Sequence, residues 1–205
     1  MMTPMTLPLL PDLHRHLDGS IRPETFRDLA HQMGTPQLEV PLFTPHMGLK
    51  EALACFATTL SLLQSPAAVR RVAGEICEDA EAEGVSTLEI RFATQLHRGA
   101  GIEAIIDAVL EGIDGRAGLI LCGLYGEDPS LLMQLVRHAG GRKGVVGIDL
   151  AGGPAPQHRF SMEHYAAPFT LARDMGLGRT VHAGEGRPPH EIRVAIELLH
   201  AQRIG

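Results

Sequence analysis

Short apolar runs alternate with longer amphipathic segments along most of this chain. The short runs alternate with period two or are continuously apolar, which predicts strands over residues 12–17, 85–92, 118–124, 145–150 and 178–182, with the start of another at 203–205. The longer segments repeat their apolar positions at helical spacing, which predicts helices over residues 23–33, 49–63, 66–83, 101–112, 129–139, 160–175 and 188–202. This strand–helix alternation predicts a parallel sheet with helices packed against it.

The sequence lacks the motifs of two nucleotide-binding folds that contain such a sheet, the dinucleotide-binding fold and the phosphate-loop fold. No Gly-x-Gly-x-x-Gly follows the first predicted strand, and no Gly-Lys-Ser or Gly-Lys-Thr occurs. An α/β (β/α)8 TIM-barrel fits better, incomplete in this chain, with about five βα units and the start of a sixth. We therefore expect residues 1–205 to form a single domain.

Composition narrows the possible partners and the compartment. The 205 residues are 44% apolar and 20% charged, with a formal net charge of -6 and no basic run, so we expect no nucleic-acid partner. The sequence contains no tract of about 18 apolar residues, so no membrane span is predicted. Residues 1–10 lack the basic leader that is typical of a signal peptide. The three cysteines are isolated, without Cys-x-x-Cys, which favours a reducing, cytoplasmic location.

The histidines at the end of the first predicted strand carry the main chemical signal. His14 and His16 lie two residues apart, so a strand would point both imidazoles to the same face. A third imidazole, His182, is followed three residues later by Glu185. Three protein ligands with one open position are typical of catalytic zinc, and we predict one Zn2+ per chain. The alternative is that His14 and His16 are incidental residues at a strand end.

Two charged residues near predicted strand ends and one apolar stripe on a predicted helix are expected to have structural roles. Arg91 is expected to be a structural ion-pair partner, and Asp149 to support the mouth of the barrel by hydrogen bonds. The stripe Phe56, Leu60 and Leu63 is expected to lie in the core, with a gate over the site as the alternative.

Four sequence blocks resemble the adenosine deaminase family. They are LHRHLDGSIRPET at 13–25, LEIRFATQL at 88–96, VVGIDLAG at 145–152 and TVHAGE at 180–185. The resemblance runs from about Pro11 to the last residue. It implies a zinc-dependent (β/α)8 barrel that removes the amino group of a purine nucleoside by hydrolysis, with the nucleoside and water as its small-molecule partners.

The resemblance also implies a role for individual positions. The implied zinc ligands are His14, His16 and His182, and the implied substrate-binding residues are His16, Asp18 and Gly152. Asp18 would bond the ribose 5′-hydroxyl and Gly152 would offer its N–H to the purine, while Asp18 could alternatively be only a turn residue before Gly19. Glu185 would be the catalytic acid that protonates the ring nitrogen beside the attacked carbon, which requires a pKa raised by burial or by contact with the ring.

The chain departs from the family pattern at its end. In the family, Arg-Ile-Gly continues with His-Gly and later with an acidic pair, whereas here 203–205 are the last residues. We expect a fragment of a complete deaminase. The alternatives are a chain completed by self-association or by a missing C-terminal segment, and an inactive relic that binds metal or nucleoside. A deaminase of adenine, an N6-substituted purine or an aminodeoxyfutalosine-type nucleoside is a further alternative.

Overall fold

The computed structural model describes residues 10–153 and 158–205, so residues 1–9 of the segment considered for a leader lie outside it. Within that part the strands form one parallel sheet in the order of the chain, each pairing with the next. The strands are β1 (Leu10–His16), β2 (Val85–Phe92), β3 (Gly118–Leu124), β4 (Val145–Ala151), β5 (Gly178–Val181) and β6 (Arg203–Ile204). The sheet curls as part of a (β/α)8 barrel, which confirms the predicted fold class.

Helices connect successive strands. They are α1 (Pro23–Gln32), α2 (Leu49–Leu62), α3 (Pro66–Ala82), α4 (Ile102–Ile113), α5 (Pro129–Ala139), α6 (Ala166–Asp174) and α7 (His190–Glu197). Two of the starts combine a proline in the first turn with a side-chain cap: Ser65 Oγ accepts from the Ala68 amide at 3.2 Å, and Asp128 Oδ1 from the Ser130 amide at 2.9 Å.

Two predicted helices are shorter in the structure, for local reasons. The segment predicted at 160–175 opens with a 3-10 turn over Met162–Tyr165 before α6 begins. The helix predicted at 188–202 begins only after Pro189 and ends at Glu197. His200 has a φ of 53°, which no right-handed helix accommodates, and the chain turns so that the Gln202 amide donates to the Arg179 carbonyl at 2.9 Å.

The apolar core lies between the sheet and its helices. Ile90 and Leu121 on the strands and Val72, Ile105 and Leu135 on the helices are all fully buried. Burial of this kind is the main force that holds α/β layers together. Among the described residues, no helix is both long and apolar enough to span a membrane.

Helices α3 and α4 contact each other at two glycines. A Cβ added at Gly112 on α4 would lie 2.2 Å from the Arg70 carbonyl oxygen on α3, a distance that real Cβ atoms do not reach. A Cβ added at Gly74 on α3 would lie 3.4 Å from the Gly112 carbonyl oxygen, close to an ordinary contact. Gly112 therefore sets the spacing of the two helices.

We predict that Gly112→Ala lowers the free energy of unfolding by about 1–3 kcal/mol, because overpacking against the α3 backbone outweighs the helix propensity of alanine. Gly74→Ala is the matched control and is expected to be neutral or to stabilise by up to about 1 kcal/mol. Urea unfolding of both variants measures the difference. Equal unfolding free energies for the two variants would show that Gly112 does not set this spacing.

Candidate active site

Three imidazoles meet at the carboxyl ends of β1 and β5. His14 Nε2 lies 3.1 Å from His16 Nε2 and 3.1 Å from His182 Nε2. The Nε2 atoms of His16 and His182 are 3.3 Å apart. Tetrahedral zinc with Zn–N bonds of ~2.0–2.1 Å requires nitrogens about 3.3 Å apart, so the donor set fits such an ion. The structure thus brings together the three sequence-predicted ligands.

Strand geometry and neighbouring charges explain the state of this cluster. Period-two alternation places His14 and His16 on one side of β1, and parallel pairing brings the end of β5 to the same edge. Burial, aided by the positive charges of Arg91 and His182, lowers the pKa of His14 to about 4. Burial and the neighbouring histidines lower that of His16 to about 3. Both imidazoles are therefore neutral at pH 7, the form that binds metal.

Asp149 on β4 orients the third imidazole from behind. Its Oδ2 lies 2.9 Å from His182 Nδ1, which turns His182 Nε2 toward the other two histidines. Burial alone would raise the pKa of Asp149, but His182 and Arg91 outweigh burial and lower it to about 2. A carboxylate behind a histidine ligand fixes the ring and raises its basicity.

Arg91 on β2 is the counter-charge for Asp149. The two side chains are 1% and 0% exposed, with Arg91 Nη1 2.8 Å from Asp149 Oδ2. Arg91 Nη2 also donates to the Leu13 carbonyl at 2.7 Å, one residue before His14. Arg91 on β2 thereby links β1, which carries His14 and His16, to Asp149 on β4, in line with the ion-pair interpretation of this residue.

A cavity of about 680 Å³ opens above the imidazoles. Three further residues singled out from the sequence line it: Asp18, Gly152 and Glu185. Burial raises the pKa of Asp18 to about 6. Gly152 follows β4 directly and lines the cavity, with a φ of 90°, a conformation that favours glycine. Glu185 lies exposed on the loop after β5, so the protein itself does not bury it.

The opposite wall of the cavity is apolar and comes mainly from α2. Its lining residues are Leu49, Ala52, Leu53, Phe56, Ala57 and Leu60. The Phe56 ring lies 5.5 Å from the His16 ring. The prediction that the stripe Phe56, Leu60 and Leu63 lies in the core is therefore correct only for Leu63, which is fully buried. Helical spacing does not distinguish a core from a cavity when both are apolar.

Two of the lining residues that the sequence did not single out lie directly against the histidines. Tyr125, just after β3, is 5% exposed and donates from its hydroxyl to the His182 carbonyl at 2.8 Å. Gly205 lies against the imidazoles, where an added Cβ would be 2.8 Å from His14 Cε1. The position of Tyr125 directly after a predicted strand is the signal that could have identified it, since such positions form the mouth of a barrel.

Comparison with known proteins places these features in context. The family model described as adenosine deaminase matches residues 10–205. An adenosine deaminase of Clostridium kluyveri is 38% identical over 97% of this chain, and the match covers 63% of that relative. The chain thus spans a little under two thirds of the length of this relative.

Two solved structures share the fold of this chain. An Arabidopsis protein crystallised with IMP has a TM-score of 0.82 and 27% identity, with 96% of this chain and 64% of that chain covered. A zinc-bound amidohydrolase from Burkholderia ambifaria has a TM-score of 0.77 and 25% identity, with 95% and 58% covered.

We predict that Arg91→Met lowers the free energy of unfolding by about 3–5 kcal/mol, because it leaves Asp149 as a buried carboxylate without its arginine. The control is Arg70→Met, which breaks an exposed Arg70–Glu111 pair of 3.0 Å and is expected to cost less than about 1 kcal/mol. Chemical denaturation at pH 7 measures both. Similar losses in the two variants would show that the buried pair has no special weight.

Proposed function

Because the chain belongs to the adenosine deaminase family, we propose that it is a zinc-dependent hydrolytic deaminase that converts adenosine, or a close 6-aminopurine nucleoside, into inosine and ammonia. The observation that carries this proposal is the cluster of three imidazoles, whose Nε2 atoms lie within 3.3 Å of one another beneath a cavity that also holds Glu185. On this proposal, residues 1–205 form the N-terminal portion of a single barrel domain. The three free cysteines suit a cytoplasmic location.

The ligands of the proposed zinc are His14, His16 and His182, with one ion per chain. When bound, the zinc would polarise a water molecule and so ease its addition to the amino-bearing ring carbon. The zinc-bound Burkholderia relative and the spacing of the three nitrogens support this assignment.

The remaining steps belong to side chains of this chain. Glu185 would donate a proton to the ring nitrogen beside the attacked carbon, which lessens the cost of disrupting the aromatic ring. A water molecule adds its oxygen to the ring carbon and the carbon–nitrogen bond breaks. The amino group takes one proton of that water and leaves as ammonia, and the other water proton restores the acid form of Glu185. Gly152 would donate its N–H to the purine, and Asp18 would accept a hydrogen bond from the ribose 5′-hydroxyl. His16 would contact the substrate as well as the metal.

The charge of the cavity favours a nucleoside over a nucleotide. None of the described residues that line it is lysine or arginine, whereas Asp18 and Glu185 are both acidic. A 5′-phosphate near Asp18 would meet a carboxylate with no lysine or arginine among the described lining residues to offset the repulsion. The Arabidopsis relative was crystallised with IMP, so a related protein of this fold binds a nucleotide.

We predict that Glu185→Gln lowers kcat for adenosine by about 100-fold or more while zinc content stays at one per chain, because the acid is lost and the ligands are kept. His182→Gln is expected to lose both zinc and turnover. Glu197→Gln, an exposed acid at the end of α7, is the matched control. Absorbance loss on deamination and metal analysis measure the two quantities. Full turnover in Glu185→Gln would refute its role as the acid.

We predict that kcat/KM for adenosine exceeds that for AMP by about 100-fold or more, because like charges at Asp18 weaken AMP binding. Asp18→Asn should reduce this ratio by weakening the repulsion. Rates are measured on a panel of substrates that comprises adenosine, AMP, adenine, N6-methyladenosine and aminodeoxyfutalosine. A preference for AMP, or an unchanged ratio in Asp18→Asn, would contradict the charge argument. A higher kcat/KM for another member of the panel would mean that this molecule, and not adenosine, is the substrate.

A further inference from the structure

The loop between β5 and α7 carries two groups on which the proposed function depends. His182 stands at its start and Glu185 three residues later. Gly184 and Gly186, on either side of Glu185, have φ angles of 88° and 61°. Glycines allow these conformations but do not restrict the chain to them, so other contacts must hold the loop in place.

Arg187 supplies such a contact at the far side of the loop. Its guanidinium carbon lies 3.8 Å from the centre of the Tyr125 ring. Its Nε and Nη2 donate to the two carboxylate oxygens of Glu191, in the first turn of α7, at 2.5 and 2.8 Å. The Arg187 and Glu191 side chains are only 10% and 14% exposed. A planar guanidinium held between an aromatic face and a bidentate carboxylate has little freedom to move.

Tyr125 forms a rigid platform that comes from a different strand. Its hydroxyl donates to the His182 carbonyl at 2.8 Å, so the same side chain also holds the start of the loop. The Tyr165 ring packs edge-on against it at 6.4 Å. The Tyr165 hydroxyl accepts from the Gly126 amide at 3.0 Å and donates to the Glu127 carbonyl at 2.7 Å, which fixes the turn after β3.

We propose that Arg187, stacked on Tyr125 and paired with Glu191, is a positioning residue that holds the β5–α7 loop so that His182 and Glu185 face the cavity. Tyr125 fastens the loop at His182, Arg187 fastens it beyond Glu185, and the acid is held between these two points. The catalytic part of this inference rests on the proposed function.

The geometry argues against a direct role of Arg187 in binding substrate. Arg187 is not among the residues that line the cavity, whereas Tyr125, His182 and Glu185 are. Two of its three nitrogens are already bonded to Glu191. Its effect on the site therefore passes through Tyr125 and the loop backbone.

The test compares three variants of the whole chain. Arg187→Met removes the guanidinium and keeps an unbranched side chain. Tyr125→Phe removes only the hydroxyl that bonds the His182 carbonyl. Arg193→Met, at an exposed position of α7, is the matched control for Arg187. The measurements are the zinc dissociation constant by competition with a chromophoric chelator, hydrogen–deuterium exchange of peptides covering 182–189 in the zinc-free protein, and the zinc-free unfolding midpoint.

We expect Arg187→Met to raise the zinc dissociation constant by about 10-fold or more, as for other partners behind metal ligands, and to speed exchange in 182–189. Tyr125→Phe should move both quantities in the same direction, while its unfolding midpoint falls only by the small amount that one lost hydrogen bond causes. Arg193→Met should stay within about twofold of the wild type in both. In an active protein, Arg187→Met should lower kcat more than it raises KM, because Glu185 is displaced rather than a substrate contact removed.

The proposal is overturned if exchange and zinc affinity in Arg187→Met equal those of Arg193→Met. If Arg187→Met unfolds broadly, a fourth variant decides: Glu191→Gln removes the charge that pairs with Arg187 and keeps the side-chain shape, and unchanged exchange and affinity in that variant overturn the proposal. Failure of the proposed function looks different. If the wild type binds no zinc or does not deaminate any panel member while loop exchange still depends on Arg187 and Tyr125, the positioning role stands and the assigned chemistry falls.

Discussion

The buried pair between Arg91 and Asp149 is the interaction on which the rest of the site depends. Neither charge is stable in the interior alone, so each requires the other, and their 2.8 Å contact joins β2 to β4 across β3. Asp149 also faces His182, and Arg91 also holds the carbonyl of Leu13. One pair of charges thus connects the strands that present the histidines and orients one of the three imidazoles.

The outer parts of the site lie on a loop and a helix, outside the hydrogen-bonded sheet. The three proposed metal ligands lie at or next to strand ends, where sheet hydrogen bonds fix the backbone. The proposed acid, Glu185, lies on a glycine-containing loop, and the apolar wall comes from α2, outside the sheet. Loops and helices at a barrel mouth vary without disturbing the sheet, so differences in substrate among related barrels arise there.

Much of the fold and part of the site could be predicted from individual sequence features. Apolar strands alternating with amphipathic helices identified the barrel, because burial of each element follows directly from its own periodicity. The His14-x-His16 spacing identified two candidate ligands, because a strand points alternate residues to one side. The predicted helix ends at 160–175 and 188–202 were wrong, because they depended on a 3-10 turn and on the positive φ of His200.

The sequence by itself determined the properties that reside in local patterns: the element order, the paired histidines of β1 and the family resemblance. Only the tertiary structure decided which distant residues meet. It placed His182 within 3.3 Å of His16, turned Phe56 toward the cavity rather than the core, and stacked Arg187 on Tyr125. These contacts depend on how the sheet curls and how α2 and the loops pack over its edge, and no local periodicity encodes such long-range packing.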